Sequence, residues 1–106
     1  MGQRKIAIVN DLKDFKKSIS RKIGVKEMIL YGSRARGDFL KYSDVDLIVV
    51  SEGFSKIPFL ERAYQTTKLW KLNIPLEVFC YTPSEFELKK KESIYMQKVL
   101  SEGIII

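Results

Sequence analysis

Apolar residues recur along this chain in two rhythms, and the switches between them divide it into elements. From residue 5 to 23, Ile8, Val9, Leu12, Phe15, Ile19 and Ile23 fall three or four apart, while Lys13, Lys16, Lys17 and Arg21 take the other side. That spacing predicts an amphipathic helix, stopped by Gly24 just past its end. Residues 25–31 (VKEMILY) become continuously apolar at Met28, Ile29 and Leu30, the pattern of a strand buried on both faces. Residues 34–43 are polar and basic, with Gly37-Asp38 and Tyr42-Ser43 as turn formers. Residues 44–50 predict a second strand that opens on two aspartates and closes on Leu47, Ile48, Val49 and Val50.

After a loop at 51–55, a helix is expected over 57–71, with Leu60, Ala63, Tyr64, Thr67 and Trp70 on one side. Pro58 suits its first turn. Residues 74–81 (IPLEVFCY) predict a third strand whose apolar character is interrupted at Glu77. Thr82, Pro83 and Glu85 read as a helix start, with Thr82 the cap, Pro83 the first position and Glu85 three residues after the cap. A second helical segment is expected around 94–100. The closing Ile104, Ile105 and Ile106 could form a short edge strand or a partner contact. Strands alternating with helices predict an α/β (α+β) arrangement, a small central sheet covered by helices. The 106 residues show no repeat and no break in composition, and they are expected to form a single domain spanning 1–106.

Composition narrows the chemistry. A net charge of +6 suits an anionic ligand, an acidic partner or nucleic acid without choosing among them. The basic side of the first helix could contact nucleic acid, but such faces are usually just solvated, and direct nucleic-acid binding is not expected. Cys80 is the single cysteine, which excludes an intrachain disulfide and a cysteine-rich zinc site. The lack of histidine excludes a Ser-His-Asp triad and histidine-ligated metals. No apolar run approaches the ~20 residues that span a bilayer, and a cytoplasmic location is the expectation.

The candidate site lies in residues 32–50, GSRARGDFLKYSDVDLIVV. Strand residues two apart share a face, so Asp44 and Asp46 project together. Two close carboxylates repel unless a cation lies between them, and Mg²⁺ is typically held by one or two carboxylates plus phosphates and water. Glu77 supplies a third acid if its strand lies beside 44–50; the alternative is an exposed glutamate on an edge strand. Gly32 lets backbone approach a phosphate, and Ser33 adds a hydroxyl and an N–H group. Arg34 and Arg36 could contact phosphates, or Arg36 could pair with an acid and hold the loop.

Gly32-Ser33, ten intervening residues and then Asp44-Val45-Asp46 resemble the signature of the nucleotidyltransferase superfamily that includes DNA polymerase beta. The longer pattern, GSRARG with SDVDLIVV, resembles the minimal nucleotidyltransferases often encoded beside a helical HEPN partner as a toxin–antitoxin pair. The resemblance implies a mixed sheet flanked by helices, the nucleotidyltransferase fold. It implies Mg²⁺ at Asp44, Asp46 and Glu77, these three being the catalytic acids, and a nucleoside triphosphate held by Gly32 and Ser33 with Arg36 and Ser43. The family's third acid is usually aspartate, so Glu77 departs from it by one methylene. The implied reaction moves a nucleoside monophosphate, AMP from ATP, to a hydroxyl on a HEPN toxin, which the chain would silence as antitoxin. The rival expectation is a non-catalytic antitoxin that neutralises a HEPN ribonuclease by occlusion.

Overall fold

Helix α1 (Gly2–Ile23) buries the stripe its spacing predicts, Ile8, Leu12, Phe15 and Ile19, against one face of a sheet. Complete burial of a side chain such as Leu12 stabilises by roughly 1.5–3 kcal/mol. The helix ends where Gly24 takes a left-handed backbone, φ 67°, and its N–H donates to the Ser20 carbonyl. The structure, a computed structural model, describes residues 2–39 and 43–106. The turn expected at Tyr42 lies outside the described residues.

Strand β1 (Glu27–Tyr31) leads through Gly32 into a single helical turn, α2 (Ser33–Arg36). Strand β2 (Val45–Val50) follows, and Ser51 then caps a 3-10 turn at Glu52–Lys56 by accepting from the Gly53 N–H. Helix α3 (Phe59–Thr67) crosses to β3 (Leu76–Tyr81), and helices α4 (Pro83–Glu92) and α5 (Ile94–Glu102) lead to β4 (Ile104–Ile105). Thr82 and Glu85 form the expected capping box at the start of α4, with Pro83 inside its first turn.

The sheet order is β3-β2-β1-β4. Strand β2 pairs antiparallel with β1 and parallel with β3, and β4 pairs antiparallel with β1, so the expected mixed sheet and terminal edge strand are both present. Alternation sorts the side chains into two layers. Met28, Leu30, Val45, Leu47, Val49, Val78 and Cys80 face α1 and the segment around Trp70. Ile29, Tyr31, Ile48, Val50 and Tyr81 face Phe86, Met96 and Val99 of α4 and α5. Asp46 and Glu77 share the parity of this second face.

Helix α3 departs from its expected orientation. Leu60 is 88% exposed and Tyr64 is also exposed, whereas Arg62 and Thr66 are buried. The helix stops at Thr67 rather than at 71, and the following turns carry Leu69, Trp70 and Leu72 onto the core. Trp70 packs edge-on against Phe15 and donates its indole N–H to the Ile74 carbonyl. Arg62 turns inward because acceptors await it there: the carbonyls of Ile57 and Cys80 and the carboxylate of Glu85.

Candidate active site

Parallel pairing of β2 with β3 sets Asp46 directly opposite Glu77, and antiparallel pairing with β1 sets Tyr31 on the other side of Asp46. Cross-strand neighbours lie about 5 Å apart at Cβ, so the two acids meet. Asp46 is half-buried and Glu77 exposed. Burial pushes the Asp46 carboxyl up to about 6, reinforced by a hydrogen bond and like charge from Glu77 and by the charge of Asp44, while Arg36 opposes. The Tyr31 hydroxyl is likewise pushed up, first by burial and then by Asp46 and Glu77. Glu77 lies on an edge strand and is solvated, so the cost of a buried charge is not what marks it. Its register with Asp46 is.

The two acids line a cavity of about 220 Å³ together with Tyr31, Gly32, Arg36 and Lys98. A depression of about 230 Å³ lies elsewhere, between α1 and residues 69–72, but it gathers Asp11 and Asp14 with Phe15 and Trp70 and has no cation facing an acid pair beyond Lys71. Among the described residues, no three acidic, histidine or cysteine side chains form a ready-made metal cage. The donor set nevertheless fits Mg²⁺, which is commonly held by one or two carboxylates and completed by water and substrate phosphates. Asp46 and Glu77 are such a pair, mutually repelling, while Asp44 is exposed and outside the cavity lining, its charge still acting on Asp46.

The remaining expected site residues divide. Gly32 is in the cavity wall, with φ 76° and ψ −159°, a region essentially confined to glycine. Ser33 begins α2 beside it, and its carbonyl accepts from the N–H groups of Gly37 and Asp38. Arg36 lines the cavity, and its guanidinium pairs with Asp38 at 3.2 Å and Glu102 at 3.3 Å, which is the acid-pairing alternative expected for it. Arg34 is buried instead, its Nε donating to the Ser43 carbonyl and its guanidinium lying over the Phe39 ring. Arg34 thus ties the two ends of the loop, and Ser43 is not among the residues lining the cavity.

Sequence reasoning missed the wall contributed by α5: Tyr95, Lys98, Val99 and Glu102. Their spacing of three and four was the available signal, since it places all of them on one helical face.

Gly32 supplies a direct test of the site's geometry. A Cβ there would collide with the Asp46 carboxylate Oδ2. Gly32→Ala is therefore expected to lose about 1–3 kcal/mol in urea melts from backbone strain, and to displace Asp46. Unaltered stability together with unaltered binding of divalent ions would contradict this placement.

Residues 12–102 match the family model of the nucleotidyltransferase domain. In three dimensions the chain is similar to a crystal structure of a candidate nucleotidyltransferase from Sulfolobus solfataricus, with a TM-score of 0.66, 21% identity, and coverage of 97% of this chain and 82% of that one. The structural likeness shows a shared fold. Among curated proteins, no match is found. No helix among the described residues is long and apolar enough to cross a membrane. With more than four-fifths of its length accounted for by the family, including both strands that carry the acid pair, the chain belongs to the nucleotidyltransferase domain family.

Proposed function

We propose that the chain transfers a nucleoside monophosphate, AMP from ATP, to a hydroxyl on a partner protein, with Asp44, Asp46 and Glu77 as its metal-holding acids. The observation that carries this is the in-register pair Asp46 and Glu77, opening onto a cavity whose wall also holds Gly32, Arg36 and Lys98. Mg²⁺ held by these acids would neutralise triphosphate charge and polarise the reacting phosphoryl group. Gly32, lacking a Cβ, leaves room for phosphate oxygens beside Asp46. Ser33 extends that phosphate cradle and Ser43 flanks it. Arg36 and Lys98 supply positive charge on the cavity wall, where Arg36 would exchange its exposed carboxylate partners for phosphate.

The acceptor hydroxyl attacks the α-phosphorus, its proton passing to a carboxylate oxygen of Glu77, and the bond to the β-phosphate's bridging oxygen breaks to release pyrophosphate. The small cavity leaves the acceptor to another chain. A HEPN-family toxin encoded nearby fits that role, which makes the present chain the antitoxin.

The test is incubation with α-labelled nucleoside triphosphates, Mg²⁺ and the neighbouring gene's product, with Asp44→Asn/Asp46→Asn as control. Label is expected on the partner with the wild-type chain alone. If both proteins leave the partner unlabelled with every nucleotide, yet both suppress its toxicity, neutralisation is by occlusion and the transferase reading is wrong.

A further inference from the structure

The carboxylate cavity does not end at Glu77. It shares Tyr31, Tyr95 and Val99 with a second cleft of about 150 Å³ that runs along the same sheet face beneath α4 and α5. One strand repeat along β3 from Glu77, roughly 7 Å, stands Phe79, and one further stands Tyr81. Phe79 and Tyr81 are near-parallel with ring centres 6.5 Å apart, and Tyr81 and Phe86 continue the array at 6.2 Å. Tyr81 and Phe86 are buried, whereas Phe79, at the open end, is 36% exposed. Tyr95 of α5 faces the same cleft and is 66% exposed. Two aromatic rings are thus left to water beside an acid pair, an arrangement that favours a flat ligand.

We propose that this aromatic cleft is the nucleobase subsite, in which the base stacks on Phe79 and Tyr95 while its triphosphate lies at the acid pair. The proposal rests on the nucleotide reading above and assigns the place of the nucleotide's uncharged end. The distance of one strand repeat between Glu77 and Phe79 is comparable to the reach of a ribose. The polar groups divide accordingly. Arg36 and Lys98 belong to the carboxylate cavity, whereas none of the described residues lining the aromatic cleft is acidic. Lys89 and Ser93 line the aromatic cleft as well. Ser93 Oγ already accepts the Met96 N–H, which leaves its proton to donate, and the Lys89 ammonium only donates. Both suit the ring nitrogens and carbonyls of a base edge.

Titration calorimetry with Mg²⁺ separates the two ends of the ligand. Inorganic tripolyphosphate probes the acid pair alone, and the four ribonucleoside triphosphates probe both subsites. The wild-type chain is expected to bind its preferred nucleotide more tightly than tripolyphosphate. Tyr95→Ala and Phe79→Ala should each lose about 5- to 150-fold in nucleotide affinity, the worth of one stacked base, with tripolyphosphate affinity unchanged in Phe79→Ala, whose side chain lies outside the carboxylate cavity, and Tyr95→Phe retaining the wild-type preference. Both side chains are exposed, and thermal melts confirm that the variants fold. If the variants keep the wild-type ratio of nucleotide to tripolyphosphate affinity, the base lies elsewhere and the proposal is overturned. Unchanged nucleotide affinity with impaired labelling of the partner overturns it as well, giving the cleft to the acceptor. Tripolyphosphate binding without any nucleotide preference overturns the base subsite and spares the phosphate site. Absence of binding by either ligand overturns the nucleotide reading itself.

Discussion

In EDTA at about pH 8, Asp46→Asn is expected to melt about 4 °C above the wild-type chain, while its transfer activity falls at least about 100-fold. The stability gain follows from the register. Asp46 is half-buried opposite Glu77, and burial, the Glu77 hydrogen bond and the two neighbouring acids all disfavour its ionised form. Asparagine keeps a donor toward Glu77 and removes the charge. A shift from 3.8 to about 6 would correspond to roughly 3 kcal/mol for an isolated group. Asp46 is more solvated than buried, so screening leaves on the order of 1 kcal/mol.

The sign follows from which state binds the proton more tightly. An acid whose folded pKa is raised contributes no penalty below its ordinary value, and folding loses stability as pH climbs. The gap between variant and wild type should therefore open between 3.8 and about 6 and persist above that. Adding Mg²⁺ should reverse the order, raising the wild-type midpoint by mass action and leaving the variant nearly unmoved. Equal melting of the two proteins in EDTA would show that the acids do not repel. Equal Mg²⁺ stabilisation would place the ion away from Asp46.

This interplay explains which parts of the site were legible in the sequence. Alternation along 44–50 and 74–81 assigns Asp46 and Glu77 to faces, and both belong to the face that α4 and α5 cover. Alternation carries no information on register, which depends on how β2 and β3 align across the intervening helix. Arg34 and Arg36 show the same limit within a single helical turn. Arg34 is buried, with its Nε donating to the Ser43 carbonyl at the far end of the loop and its guanidinium over the Phe39 ring, whereas Arg36 lines the cavity. Local signals fared better. Gly24 ends α1, Thr82 and Glu85 cap α4, and the terminal isoleucines join β1, because each depends on nearby backbone or on bulk apolarity. Helix α3 departs from its apolar spacing because a long-range polar interaction outweighs it: Leu60 and Tyr64 face solvent because Arg62 faces in.

Arg62 carries the second large prediction. Its guanidinium joins four segments: α3 itself, the Ile57 carbonyl at 2.9 Å, the Cys80 carbonyl at 3.3 Å, and the Glu85 carboxylate at 2.6 and 3.3 Å. It also packs near the rings of Phe54 and Phe59. Arg62 is 5% exposed, while the Glu85 side chain is 42% exposed. Breaking a wholly buried pair costs about 3–5 kcal/mol, so this half-solvated one should cost about 2–4 kcal/mol in Arg62→Met. That corresponds to a fall of roughly 8–16 °C in thermal midpoint.

Glu85 plays two parts, because it also accepts the Thr82 N–H in the capping box. Glu85→Gln keeps the cap and removes the charge, whereas Glu85→Ala loses both and should be the less stable by about 1 kcal/mol. The hydrogen bond from Arg62 holds the Glu85 carboxyl below its ordinary value of 4.5. A lowered acid pKa stabilises the fold above that ordinary value and ceases to do so as pH falls through the folded one. The stability gap between wild type and Glu85→Gln should therefore be full near neutrality and close in acid. An Arg62→Met midpoint within about 2 °C of wild type, or a Glu85→Gln gap that does not close, would show that α4 is held by its apolar contacts alone. The stakes extend to function, since α4 and α5 roof the aromatic cleft. Losing the tie at Arg62 should loosen that roof and weaken nucleotide binding before it unfolds the chain.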